Sequence, residues 1–119
     1  LGGTMPIAEH ASRTAATVGT TEYSIVNGST TLATDATDAI IQVYVDPANM
    51  AVGDEYVLRV YETVRSGGTK RVVEEWTLMG AQSEALVTPS MLVMHGWDVT
   101  LQKVAGTDRA FDLSIRKVS

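Results

Sequence analysis

From about Thr21 to the end of the chain, apolar and polar side chains alternate in short segments separated by turn residues, the period-two pattern of strands buried on one face. Trp97, Val99 and Leu101 fall on one side of their segment, with Asp98, Thr100 and Gln102 on the other. Phe111, Leu113 and Ile115 repeat the pattern against Asp112, Ser114 and Arg116. The alternation predicts strands near residues 21–26, 39–46, 55–65, 70–79, 84–88, 91–94, 97–104 and 109–118. Pro47 follows Asp46 and must end a ladder there, because proline has no N–H to donate. Ser66-Gly67-Gly68-Thr69 predicts a tight hairpin between two long strands, and Ala105-Gly106-Thr107-Asp108 a second hairpin between the last two. So many short strands punctuated by turns predict an all-β, single-domain β-sandwich, jelly-roll or immunoglobulin-like, over residues 21–119. Its core is expected to draw on Ile41, Val43, Val45, Leu58, Val60, Trp76, Leu78, Leu92, Val99, Leu101, Phe111, Leu113 and Ile115.

Residues 1–20 break the pattern. They hold two early glycines, Pro6 and an Ala/Thr/Ser-rich stretch, with little to bury beyond Met5, Ile7 and Val18. Either this is a flexible terminus or it is an extended N-terminal arm that orders against a neighbouring subunit, anchored by Met5 and Ile7 and with Arg13 among its partner-binding residues. Deleting the arm should then leave melting almost unchanged while removing partner binding. The chain opens on Leu1 rather than methionine, so processing or excision from a longer product stays open as its origin.

At 119 residues the chain can bury on the order of 65% of its unfolded surface, enough for one core without staples. It has no cysteine, which removes disulfides, thiolate metal ligands and thiol nucleophiles together. Fourteen acidic residues against nine basic ones give a net charge of −5, which argues against direct nucleic-acid binding. No apolar run approaches the ~20 residues that span a bilayer, so no membrane partner is expected. The basic exception is the hairpin around residues 66–69, where Arg65, Lys70 and Arg71 crowd together and could dock on an acidic protein surface.

Candidate chemistry is sparse. In His95-Gly96-Trp97-Asp98, strand alternation turns Asp98 away from Trp97, which favours a turn histidine followed by a core tryptophan. Only His10 and His95 could join a zinc site, too few for its three or four ligands. Asp35-Ala36-Thr37-Asp38 fits no EF-hand spacing and reads as a solvated acidic loop. Glu74 and Glu75, as strand neighbours, face opposite ways and cannot be a paired glycosidase site. No nucleophile elbow, phosphate loop or dinucleotide fingerprint is present. No catalytic residue, cofactor or metal is therefore expected.

Three stretches carry a family resemblance: Met50-Ala51-Val52-Gly53-Asp54-Glu55-Tyr56-Val57-Leu58-Arg59-Val60-Tyr61-Glu62, then Ser66-Gly67-Gly68-Thr69-Lys70-Arg71-Val72-Val73, then Met94-His95-Gly96-Trp97-Asp98-Val99-Thr100-Leu101 running into Ala105-Gly106-Thr107-Asp108-Arg109. From about Thr21 onward the chain resembles small β-rich structural proteins of tailed bacteriophages, of the capsid decoration or cement type. The resemblance implies a non-enzymatic virion protein, made in the host cytoplasm, that sits on the capsid surface, ties major capsid protein subunits together and forms a homo-oligomer, dimer or trimer. The alternative is a tail, baseplate or fibre module that reads a host-surface glycan through exposed aromatics such as Trp76, Trp97, Tyr44, Tyr56 or Tyr61. A small β-fold hydrolase is a third class.

Overall fold

The structure, a computed structural model, describes residues 6–118. Among these described residues nine strands form two antiparallel sheets packed as a single-domain β-sandwich: β1 (Ile7–Val18), β2 (Tyr23–Ser24), β3 (Ala39–Asp46), β4 (Glu55–Thr63), β5 (Lys70–Met79), β6 (Leu86–Val87), β7 (Met91–Val93), β8 (Asp98–Ala105) and β9 (Arg109–Val118). Sheet A runs β1-β9-β3-β6, with β7 also paired to β3, and sheet B runs β2-β8-β4-β5. No helix occurs among the described residues. The period-two pattern becomes the core directly: Ile41, Val43, Val45, Phe111 and Ile115 from sheet A meet Tyr56, Leu58, Val60, Val99 and Leu101 from sheet B, all of them buried.

The hairpin at residues 66–69 forms as the sequence predicts. β4 pairs β5 from Glu55↔Met79 to Thr63↔Lys70. Gly67 takes φ 76°, and the Gly68 N–H closes the turn on the Arg65 carbonyl at 3.0 Å. β3 ends at Asp46, immediately before Pro47.

The expected second hairpin is not one. β8 pairs β2 and β4, whereas β9 pairs β1 and β3, so residues 106–108 cross from one sheet to the other as an arch. Val99 and Leu101 face Phe111 and Leu113 across the core rather than lying beside them. Asp54 holds the arch: its carboxylate accepts from the N–H groups of Ala51 at 2.9 Å and Thr107 at 3.0 Å and pairs with the Arg109 guanidinium at 2.6 Å. Beside it, the buried Tyr56 hydroxyl accepts from the Arg109 N–H at 2.8 Å and lies 2.8 Å from the Thr107 carbonyl and 3.0 Å from that of Val18.

The bond from Arg109, with the two N–H groups, holds the Asp54 carboxyl down at about 2, below its ordinary 3.8. A carboxyl depressed in the fold stabilises fully above its unfolded value, and that contribution fades as pH falls from about 4 toward 2. Asp54→Asn is accordingly expected to lose stability at pH 7 but to show a smaller drop than the parent over that acid window. Thermal melts of both proteins at stepped pH check this; parallel curves would show that Asp54 does not carry the effect.

Residues 7–18 also depart from the expected division. They form not a separate arm but the edge strand of sheet A, paired with β9 from Ile7↔Val118 to Val18↔Arg109. Val18 is wholly buried and Ala11 nearly so. Register shifts between Glu9 and Ala11 and between Arg13 and Ala16, the second with Ala15 at φ 49°, interrupt the alternation that would have announced a strand. Removing residues 1–20 would therefore strip a strand from the sandwich, so the expected near-unchanged melting does not follow. One expected core residue lies elsewhere: Leu92 is 81% exposed, because β7 turns Val93 inward. Trp76, on the edge strand β5, is half-buried and packs against the core.

Candidate docking surface

The inward residues of β3 are Ile41, Val43 and Val45, so Ile40, Gln42 and Tyr44 face outward from sheet A. Ile40 pairs directly with Val118 on one side and Leu92 on the other, and Val118 pairs with Ile7. Four aliphatic side chains thus form one row across the outer face, with Ile7 73% and Leu92 81% exposed. The next row is polar. There the Arg116 guanidinium lies 3.7 Å from the Tyr44 ring centroid, and Glu9 accepts from the Ser114 hydroxyl at 2.6 Å.

On its other side the row opens into a groove of about 770 Å³ at the end of the sandwich, lined among others by Val64, Val73, Leu92 and Met94. All four are exposed. Glu62 fixes this end of the molecule: its carboxylate accepts from the Met94 N–H at 2.7 Å and the His95 N–H at 3.1 Å, while the Thr63 hydroxyl donates to the His95 carbonyl at 2.8 Å. The bonds pin the loop after β7 to the end of β4 and hold Met94 at the groove. Adjoining aliphatic side chains left wholly or partly exposed over a hydrogen-bonded backbone mark a candidate protein-interaction surface.

The cations expected at a partner surface take different places. Met5 lies outside the described residues. Ile7 sits at the edge of the aliphatic row. Arg13 is half-buried and donates to the carbonyls of Ile25 at 2.9 Å and Val26 at 2.6 Å, clipping β1 onto the turn before Gly28. Lys70 is half-buried as well, on the outer face of sheet B, donating to the Ala33 carbonyl at 2.7 Å with its ammonium 5.6 Å from the Tyr61 ring centroid. Arg65 and Arg71 are exposed, and they alone of these four cations leave the hairpin end basic toward solvent.

The remaining polar residues are mutually satisfied. Trp97 is fully buried, as the sequence predicts, with its indole N–H donating to the Thr37 carbonyl at 2.8 Å. Asp98 does face away from it, but the segment around Ala33 covers that side too. The Asp98 carboxylate accepts from the Ser24 hydroxyl and the N–H groups of Ala33 and Val99, each at 2.8 Å, and burial pushes its carboxyl up. His10, placed in the expected arm, lies at a β1 bulge, with its Nε2 2.5 Å from Asp35 and its ring 5.2 Å from that of Trp97. Burial alone would raise the Asp35 carboxyl, yet the Thr37 N–H and His10 outweigh it and the net shift is down.

On the outer face of sheet B, Glu22 accepts from the hydroxyls of Tyr61 at 2.7 Å and Thr100 at 2.5 Å. Burial, with the bond to Glu22, pushes the Tyr61 hydroxyl up to about 12. Nothing local in the sequence marks this cluster, because residues 22, 61 and 100 meet only through the order of the strands. Among the described residues, no group of three or more His, Asp or Glu could hold a metal ion, and no buried side-chain polar atom lacks a partner. Compared with protein-family models, curated proteins and solved structures, the chain matches none.

Proposed function

We propose that this protein is a non-enzymatic virion structural protein of the decoration or cement type, which docks on the outside of an assembled tailed-phage capsid and stabilises it. The observation that carries a docking role is the aliphatic row Ile7, Val118, Ile40 and Leu92 with the groove beside it, a surface that water leaves unsatisfied and a protein partner would cover. The major capsid protein as that partner comes from the resemblance of the three stretches quoted above. Binding that engages only the assembled lattice favours the assembled shell by mass action, and several copies acting together make it long-lived. The glycan-reading alternative is less well supported, since Trp97 is buried and Trp76 packs against the core, which leaves no exposed tryptophan platform.

The test is co-sedimentation of the purified protein with assembled heads and, in parallel, with free capsid subunits. Saturable binding to heads alone is expected. Leu92→Asp should weaken it by at least about tenfold, since fully burying a leucine contributes roughly 1.5–3 kcal/mol. Its melting temperature should stay close to the parent's, because Leu92 is outside the core. Absence of binding to heads, or binding indifferent to Leu92→Asp, would overturn this reading.

A further inference from the structure

We propose that the free edge of β5 is a self-association surface that pairs antiparallel with β5 of a second copy, about a two-fold axis at Val72. This does not rest on the capsid reading, since the edge would pair in solution whatever shell the protein meets. Sheet B ends at β5, a ten-residue strand whose residues 71–75 are all exposed. An open edge of that length templates pairing unless its side chains forbid it, and charges ordinarily do so. Here the order of the charges does the opposite. Lys70-Arg71-Val72-Val73-Glu74-Glu75 has two cations, two valines and two anions. Laid antiparallel on itself, it opposes cation to anion at both ends, whereas a parallel pairing opposes like to like.

Residues facing each other across such an axis must share a sheet face. In a regular strand, positions 70 and 75, or 71 and 74, lie on opposite faces and could not meet. β5 is not regular there: Tyr61 pairs with Val72 but Val60 pairs with Glu74, so Val73 is an extra residue. The bulge restores the match. Lys70 and Glu75 share the outer face with Thr63 and Arg59, their β4 partners, and Arg71 and Glu74 share the inner face with Glu62 and Val60. Val72 then meets its own copy, Arg71 meets Glu74 and Lys70 meets Glu75.

Lys70 and Glu75 already have internal partners, Ala33 and Arg59. Arg71 and Glu74 enter none of the ion pairs found among the described residues, so the cross-copy pairs fall chiefly to them. The opposite edge of sheet B is the two-residue β2, too short to extend the array, so the assembly closes as a dimer with one continuous eight-stranded sheet.

Sedimentation equilibrium over a wide concentration range tests this. The parent is expected to dimerise. Arg71→Glu and Glu74→Arg should each weaken dimerisation on the order of tenfold or more, since each turns two attractive pairs into two repulsive ones. An equimolar mixture of the two variants should regain it, because a heterodimer restores both pairs. Both changes are on exposed side chains, so the fold is kept. A second measurement fixes the register in this cysteine-free chain: Val72→Cys should form a disulfide-linked dimer on oxidation, and Thr77→Cys should not. A parent that stays monomeric throughout, a dimer indifferent to both charge reversals, or Thr77→Cys linking as well as Val72→Cys would overturn the proposal.

Discussion

Replacing Trp97 with alanine is expected to destabilise the fold by about 4 kcal/mol, lowering the melting temperature by roughly 15 °C. Trp97 is wholly buried and is among the largest fully buried side chains of the molecule. Its removal leaves a cavity, an unpaired Thr37 carbonyl and a His10 ring with nothing to stack on. His10 belongs to β1 and Thr37 to the loop before β3, so the side chain joins three segments far apart in sequence. Trp97→Phe separates the contributions: it fills most of the volume and loses chiefly the indole bond, for a cost of about 1–2 kcal/mol. Urea denaturation of the two variants checks the order. Equal losses would mean that packing at this position contributes little.

The arch between β8 and β9 should be nearly as sensitive. Gly106 sits at φ 93°, and a Cβ there would lie 2.7 Å from the Asp54 Cα and 2.9 Å from the Gly53 carbonyl oxygen. Those atoms are backbone and cannot swing aside, so Gly106→Ala combines a left-handed conformation with a collision and is expected to cost about 3 kcal/mol. Gly53→Ala is the companion measurement. Gly53 has a comparable φ of 94° with open space around it, so it carries the conformational cost alone, about 1 kcal/mol. If both variants lost the same stability, crowding against Asp54 would not constrain the arch.

The strands most legible in the sequence are those bounded by clear turn signals. β3, β5 and β9 span the predicted residues: β3 and β9 bury one face without interruption, and β5, despite its extra residue Val73, is fixed by the glycine turn that precedes it. β1 was illegible for two reasons. Its inward residues are mostly small, and its two register shifts break the period that would reveal it. The arch misled for a different reason: alternation shows that two strands each bury a face, but not whether those faces lie side by side in one sheet or opposed across two. Leu92 shows the limit of an uninterrupted apolar run, since Met91-Leu92-Val93-Met94 carries no parity of its own. The aliphatic row was invisible for the same reason the Glu22 cluster was. Ile7, Ile40, Leu92 and Val118 become neighbours only once the strand order is known.

The place of β9 sets the timing of folding. It is the last strand in the described chain, and it lies between β1, the first, and β3. While the protein is being made, β4 can zip onto β5 as soon as the hairpin at residues 66–69 leaves the ribosome. β1 and β3 must wait, their ladders open, until the final segment slots between them. Until β9 is made, β1 and β3 each keep open the ladder edge that it fills, and those two edges are where an incomplete chain would pair with others.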